Sequence, residues 1–148
     1  MTSPPRARGF SLVELMLTVA LIALLAGITL PVYRSYQTNS DRQRVAASLA
    51  SRLRRAQTLA TAVAGDSSWG VAVATGTITV FKGVDYANRE AAFDEITDLP
   101  RQLTFSGLSE VVFARFSGAP LTTGEIRLTS SDGGAVSLTI NSQGMISY

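Results

Sequence analysis

Apolar and polar residues fall into three regimes along this chain. The first is a nearly continuous apolar stretch beginning at Phe10, with 19 consecutive uncharged residues from Leu15 to Tyr33 (LMLTVALIALLAGITLPVY). At 1.5 Å rise per residue a helix of that length covers about 28 Å, close to the roughly 30 Å of bilayer hydrocarbon. The second regime is a stripe. Val45, Leu49, Leu53, Ala56, Ala60 and Val63 recur at steps of 4, 4, 3, 4 and 3, which is one face of a 3.6-residue period. Arg42, Arg44, Arg52, Arg54 and Arg55 mostly fall off that face. Ala64-Gly65-Asp66 then offers a glycine stop. The pattern predicts one long helix from about Ser11 to Ala64, amphipathic in its second half.

After Gly65 the period switches to two. Trp69–Ala74 and Thr77–Lys82 flank Thr75-Gly76 as a hairpin. Ala87–Ile96 is expected to form a short helical turn over the sheet. Gln102–Phe105, Val111–Phe116, Glu125–Thr129, Val136–Asn141 and a final Met145–Tyr148 read as strands, with Ser130-Ser131-Asp132-Gly133-Gly134 as a turn. Helix first and antiparallel strands afterwards is an α+β order. The expected segments are 1–9, 10–33, 34–64 and a β-rich head at 65–148.

Composition sharpens this picture. The chain has 148 residues, 46% of them apolar and 16% charged, against roughly 25% charged in average soluble domains. Its charge is also unevenly placed. Residues 1–64 hold eight Arg against Glu14 and Asp41, whereas residues 65–148 hold five basic and nine acidic residues. There is no Cys and no His. That excludes disulfide scaffolds, Cys/His zinc sites, thiol nucleophiles and His-based triads. Ser67-Ser68 and Ser130-Ser131 lack a His or fitting Lys partner, so no serine nucleophile is expected. Asp132 alone falls far short of the six to eight oxygens that calcium takes. No cofactor, metal site or enzymatic activity is expected.

The apolar run has three physical readings: a membrane span, a cleaved secretory signal, or a buried helix. A domain of this size has little room to bury such a helix all round. No small-x-small cleavage site stands out near Ala26–Thr29. The span is the reading that remains. Arg6 and Arg8 precede the run and only Arg34 follows closely, so the N-terminus is expected to stay cytoplasmic. Two residues are odd for a plain anchor. Glu14 places a carboxylate within the apolar stretch, where a charge costs about 2.5–3.5 kcal/mol at the bilayer centre and less near the interface. Pro31, four residues after Gly27, either kinks the helix or ends it.

Gly9-Phe10-Ser11-Leu12-Val13-Glu14-Leu15-Met16 resembles the class III signal of type IV pilins and type II secretion pseudopilins. That signal joins a short basic leader, a Gly, an N-terminal Phe, a Glu at the fifth mature position and about twenty apolar residues. The resemblance implies that a prepilin peptidase cuts after Gly9 and methylates the new amine of Phe10. It implies that Glu14 pairs with the N-terminal amine of a neighbouring subunit, which relieves two costly unpaired charges and fixes axial register. It also implies that the Gly27–Pro31 segment is a helix kink.

The head is similar to the GspH/FimT-like class of minor pseudopilins and pilins. The carriers are Arg54-Arg55-Ala56-Gln57 with Ala60, Trp69-Gly70-Val71-Ala72-Val73, and Leu138 to Ile146. The missing Cys pair departs from many major pilins, and Met145-Ile146 follows Gly144 where DNA-binding members carry Arg. The expected role is therefore that of a structural minor pseudopilin or minor pilin. Its expected partners are other pilin or pseudopilin subunits, the prepilin peptidase, an inner-membrane assembly platform, and membrane lipid before assembly. The expected location is the bacterial inner membrane, single-pass, and then a periplasmic or surface filament. The alternatives are a major pilin, or a minor pilin that captures DNA through Arg52, Arg54 and Arg55. Nucleic acid is the less favoured partner, because a solvated or subunit-facing helix face is the more ordinary use of such residues.

Overall fold

The computed structural model describes residues 9–148, and the side chains of 28–38 lie outside the description. The leader residues 1–8 also lie outside it. Helix α1 spans Leu12–Thr61. Eight strands follow: β1 Trp69–Ala74, β2 Thr77–Lys82, β3 Glu95–Asp98, β4 Leu103–Gly107, β5 Glu110–Phe113, β6 Gly124–Ser130, β7 Ala135–Ile140 and β8 Ile146–Ser147. The chain divides into two compact units, 1–37 and 38–148.

The second unit is α+β. Its strands form two antiparallel four-stranded sheets, one ordered β3-β2-β1-β5 and the other β4-β6-β7-β8. The helix is the reason both sheets belong to one core. Val45, Ala46, Leu49, Ala50, Leu53, Ala56 and Ala60 are buried together with Val71, Val80 and Phe113 of the first sheet and Ile126, Leu128 and Leu138 of the second. The predicted stripe is thus the seam, widened by Ala46 and Ala50. Leu49 and Leu53, both fully buried, alternate along it with buried alanines.

The hairpin β1–β2 pairs Ala74 with Thr77 across Thr75-Gly76, where Gly76 takes φ 88°. That is the left-handed region where glycine meets no steric cost. The β6–β7 turn also forms as the sequence indicates, with Thr129 opposite Ala135. Here the second glycine has a different reason. A Cβ on Gly134 would lie 1.1 Å from Arg42 Nη1. The Arg42 guanidinium, on a residue only 8% exposed, lies against the turn and reaches Asp132 Oδ1 at 3.5 Å and Asn39 Oδ1 at 3.3 Å. The Ser130 hydroxyl and the Gly134 N–H also donate to Asp132 Oδ1. Those donors hold the Asp132 carboxyl below its usual range, the Ser130 hydroxyl most of all.

Three local expectations are corrected. The helix ends at Thr61, not Ala64, because Val63 adopts a left-handed φ of 54°. A 3-10 turn over Ala64–Asp66 follows. The Phe116 N–H, distant in sequence, donates to Ala60 O at this end, and the Trp69 indole N–H, five residues on, donates to Ala64 O in the turn that follows. The helical turn expected over Ala87–Ile96 shrinks to a 3-10 turn at Ala91–Phe93. Glu95–Asp98 instead pairs with β2 as an edge strand. Finally, β5 stops at Phe113, because the chain folds back so that the Ala114 and Gly118 N–H groups bond within the following loop.

Substituting Gly134→Ala is expected to displace Arg42 and lower stability by about 1–3 kcal/mol, the ordinary cost of overpacking. Asp132→Asn should lower stability less than Gly134→Ala does, since its ion pair is partly exposed. Chemical denaturation of the two variants beside the parent chain checks the order. Equal losses would show that the guanidinium does not depend on the bare glycine.

Candidate functional site

The first unit presents a physical problem that its own chain does not solve. From Phe10 to Leu25 every large apolar side chain is between 53% and 83% exposed. A helix satisfies its backbone donors and acceptors internally, but it cannot bury its own surface. Burial of apolar area contributes roughly 25 cal/mol per Å², so a surface of this kind is strongly driven to find cover outside the chain. The described part of the uncharged run, 15–27, covers about 20 Å, which is shorter than a bilayer core. Among the described residues no helix is long and apolar enough to cross a membrane. The remainder of the run, 28–33, has its side chains outside the description.

Glu14 lies in the first turn of α1. It is exposed, and among the described residues its carboxylate has no ion-pair or hydrogen-bond partner. A carboxylate in a first turn interacts favourably with the helix dipole, by about 0.3–1 kcal/mol. That modest local gain is all it receives within this chain.

Gly9 and Phe10 precede the helix in non-helical backbone, both exposed. A Cβ on Gly9 would meet nothing within 4 Å, and Gly9 is not among the glycines with positive φ. Neither conformation nor packing within the chain asks for a glycine there. The bond between Gly9 and Phe10 is also clear of the helix, as a peptidase substrate requires. Gly27 is similar: a Cβ would meet nothing within 4 Å, yet glycine costs a helix interior about 0.8–1 kcal/mol relative to Ala. Helical backbone continues past Pro31, so Pro31 does not end the helix. Its side chain lies outside the described residues.

The arginine cluster is drawn into the fold. Arg55 forms a two-pronged pair with Glu95, Nε to Oε2 at 2.7 Å and Nη2 to Oε1 at 2.6 Å. Arg52 Nη1 lies 3.5 Å from the same carboxylate. Glu95 opens strand β3, so this cluster pins the edge of the first sheet to the helix. Arg54 is exposed and makes no ion pair among the described residues. The partnership with Glu95, 40 residues away, had no signal in sequence spacing. The Arg55 hydrogen bond, followed by Coulomb attraction to Arg55 and Arg52, holds the Glu95 carboxyl below its usual range against an opposing desolvation. Among the described residues no group of three or more acidic residues could hold a metal ion.

Comparison with known proteins supplies the context. Residues 4–30 match the family described as the prokaryotic N-terminal methylation motif. Over 43 residues the chain is 46% identical to the type IV major alpha-pilin of Moraxella bovis and, to the same degree, to fimbrial protein Q of that organism. The matched segment covers 29% of this chain and 27% of each relative. The fold resembles that of the minor pseudopilin EpsH from the type 2 secretion system of Vibrio cholerae. The TM-score is 0.54 at 16% identity, over 72% of this chain and 94% of that one.

A depressed carboxyl pKa in the folded state contributes stability that is present above the unfolded value of about 4.3 and is lost as pH falls through the folded value. The parent chain should therefore lose stability on acidification below about pH 4 more steeply than Glu95→Gln does. Unfolding midpoints measured from pH 6 to pH 3 check this. Parallel curves would mean that the Arg55–Glu95 pair adds nothing.

Proposed function

We propose, for a chain carrying the signature and the fold of the type IV pilin and pseudopilin family, that it is a structural subunit of a type IV pilus-like or type II secretion filament. The observation that carries this reading is the exposed apolar helix with Glu14 unpartnered in its first turn. Both features call for the same thing, a neighbour that covers the helix and supplies a cation. Cleavage after Gly9 would free an amine at Phe10, and methylation would leave its charge in place. In one subunit that amine adds positive charge to the positive end of its own helix dipole, which is unfavourable. Beside the Glu14 of the next subunit the same charge is paired, and an apolar surrounding strengthens the attraction. Before assembly the apolar segment 10–33 would lie in the inner membrane with the N-terminus cytoplasmic, and the assembly platform would extract it.

Within the family we assign the chain a minor role. The fold likeness to a minor pseudopilin head and the lack of any Cys for a disulfide-closed loop support that assignment. Capture of DNA is the weaker reading, since Glu95 partly neutralises Arg52 and Arg55.

Replacing Glu14 by Ala or Gln should leave leader cleavage intact and reduce recovery in sheared filaments at least about tenfold, a loss equivalent to about 1.4 kcal/mol. Immunoblots of membrane and sheared fractions read both steps at once. Normal incorporation of both variants would contradict the pairing.

A further inference from the structure

The second sheet is unfinished along one edge. Strand β8 pairs with only Thr139 and Ile140 of the six residues of β7. Antiparallel pairing turns the main-chain groups of successive residues to opposite neighbours. The Ser130 N–H donates to Gly134 O, and the Asn141 N–H donates to Met145 O. Those two bonds set the phase along β7. Val136, Leu138 and Ile140 turn their main-chain groups to β6, whereas Ala135, Ser137 and Thr139 turn theirs to the β8 side. Thr139 meets Ser147 there. Ala135 and Ser137 meet no strand, and no hydrogen bond among the described residues takes up their N–H and C=O groups on that side.

A groove of about 430 Å³ accompanies this open edge, lined by Gln43, Ala46 and Ala47 of α1, Val136 of β7, and Tyr148 just after β8. No residue of β6 lines it, so it lies on the open side of β7, between that strand and the helix. A strand added in line with β8 would bond Ala135 and Ser137. Its side chain opposite Val136 would enter the groove, because cross-strand neighbours share a face of the sheet. Alanines at 46 and 47 leave room there for a large apolar group. On the outer face Arg127 stands opposite Ser137 in the register. It is exposed and has no counter-ion among the described residues. The short Ser137 leaves a path over itself, from an acidic side chain on the added strand to Arg127. The other open edges are less suited. Strand β3 carries Glu95 and Asp98, charges of the kind that discourage added strands, and β4 lines no part of the groove. Ala135, Val136 and Ser137 carry no charge.

We infer that the open edge of β7 receives an extended segment of a neighbouring subunit of different sequence, by strand addition. Main-chain bonds to Ala135 and Ser137 hold the segment, an apolar residue fills the groove, and the acidic residue next to it lies over Ser137 toward Arg127. This is the division of labour usual for added strands, in which the main chain supplies affinity and alternate side chains supply selectivity. The inference rests on the minor-subunit reading, under which the neighbours are other chains, and it names the surface that holds one of them.

Hydrogen exchange reads the added bonds without altering them. Full-length protein in detergent is compared with the same protein in sheared filaments, over peptides spanning 135–138. The Ala135 and Ser137 amides should exchange at least about tenfold more slowly in the filament, as newly bonded amides do. Ser137→Pro removes a donor that has no partner within the chain, and edge strands tolerate proline at such positions. It should leave the unfolding midpoint in detergent unchanged and lower recovery in filaments at least about tenfold. Ala47→Phe, at an exposed helix position, fills the groove and should have the same effect on recovery. Ser137→Thr keeps the main chain and should assemble as the parent does. The chain has no native Cys, so Thr139→Cys, beside the contact and outside it, can carry a benzophenone maleimide that is photolysed in filaments. The linked peptide should come from a different filament subunit and hold an acidic residue next to an apolar one. A link only to a second copy of this chain would overturn the choice of partner. Unchanged exchange at 135–137, or normal recovery of both Ser137→Pro and Ala47→Phe, would overturn strand addition and leave the subunit reading standing. Absence of the parent chain from every filament fraction would overturn both.

Discussion

One seam organises the described structure: the strip of small and aliphatic side chains from Val45 to Ala60 against which two sheets close. Neither sheet shares a strand with the other, so the helix is what makes them one body. Leu49 and Leu53 are completely buried between them. Truncating either would leave a cavity, at the roughly 2–5 kcal/mol usual for leucine in a core. The polar contacts are arranged around this seam. Arg42 ties one end of the stripe to the β6–β7 turn, Arg52 and Arg55 tie its middle to β3, and the Phe116 N–H closes on Ala60 O near its end.

The contrast with the first unit is the functional content of the fold. The same helix that buries one face in the second unit exposes every large apolar side chain from Phe10 to Leu25. Gly9, Glu14 and Gly27 then share a property. Within the single chain, neither packing nor conformation asks for a glycine at Gly9 or Gly27, and Glu14 has no partner among the described residues. Local rules broken without compensation inside a molecule point to function outside it.

Much of this was legible in the sequence because it depends on short-range pattern. The 3.6-residue stripe located the seam, the switch to period two located the strands, and Thr75-Gly76 and Asp132-Gly133-Gly134 located two turns. The misses share a cause as well. Val63 is β-branched and an improbable left-handed residue, so no local propensity marks the helix end there, and the Phe116 N–H that bonds Ala60 O comes from far along the chain. Strand β3 looked like a continuation of a polar helical turn, because its pairing with β2 and its tie to Arg55 are long-range. Gly134 read as a turn residue, while its true constraint is a guanidinium from position 42. Motif spacing is what singles out Gly9, Phe10 and Glu14 for the proposed processing and assembly. The structure adds that all three are exposed and that the Glu14 carboxylate has no partner among the described residues.

The central claim is that this chain is processed at Gly9 and then covered by neighbours in a filament. Intact-mass and N-terminal peptide analysis of the protein recovered from sheared filaments tests it most directly. The account predicts a chain that begins at Phe10 with a methylated amine and is present in the filament fraction. A chain that retains Gly9, or one cleaved after Gly9 but confined to the membrane in cells that make filaments, would contradict it.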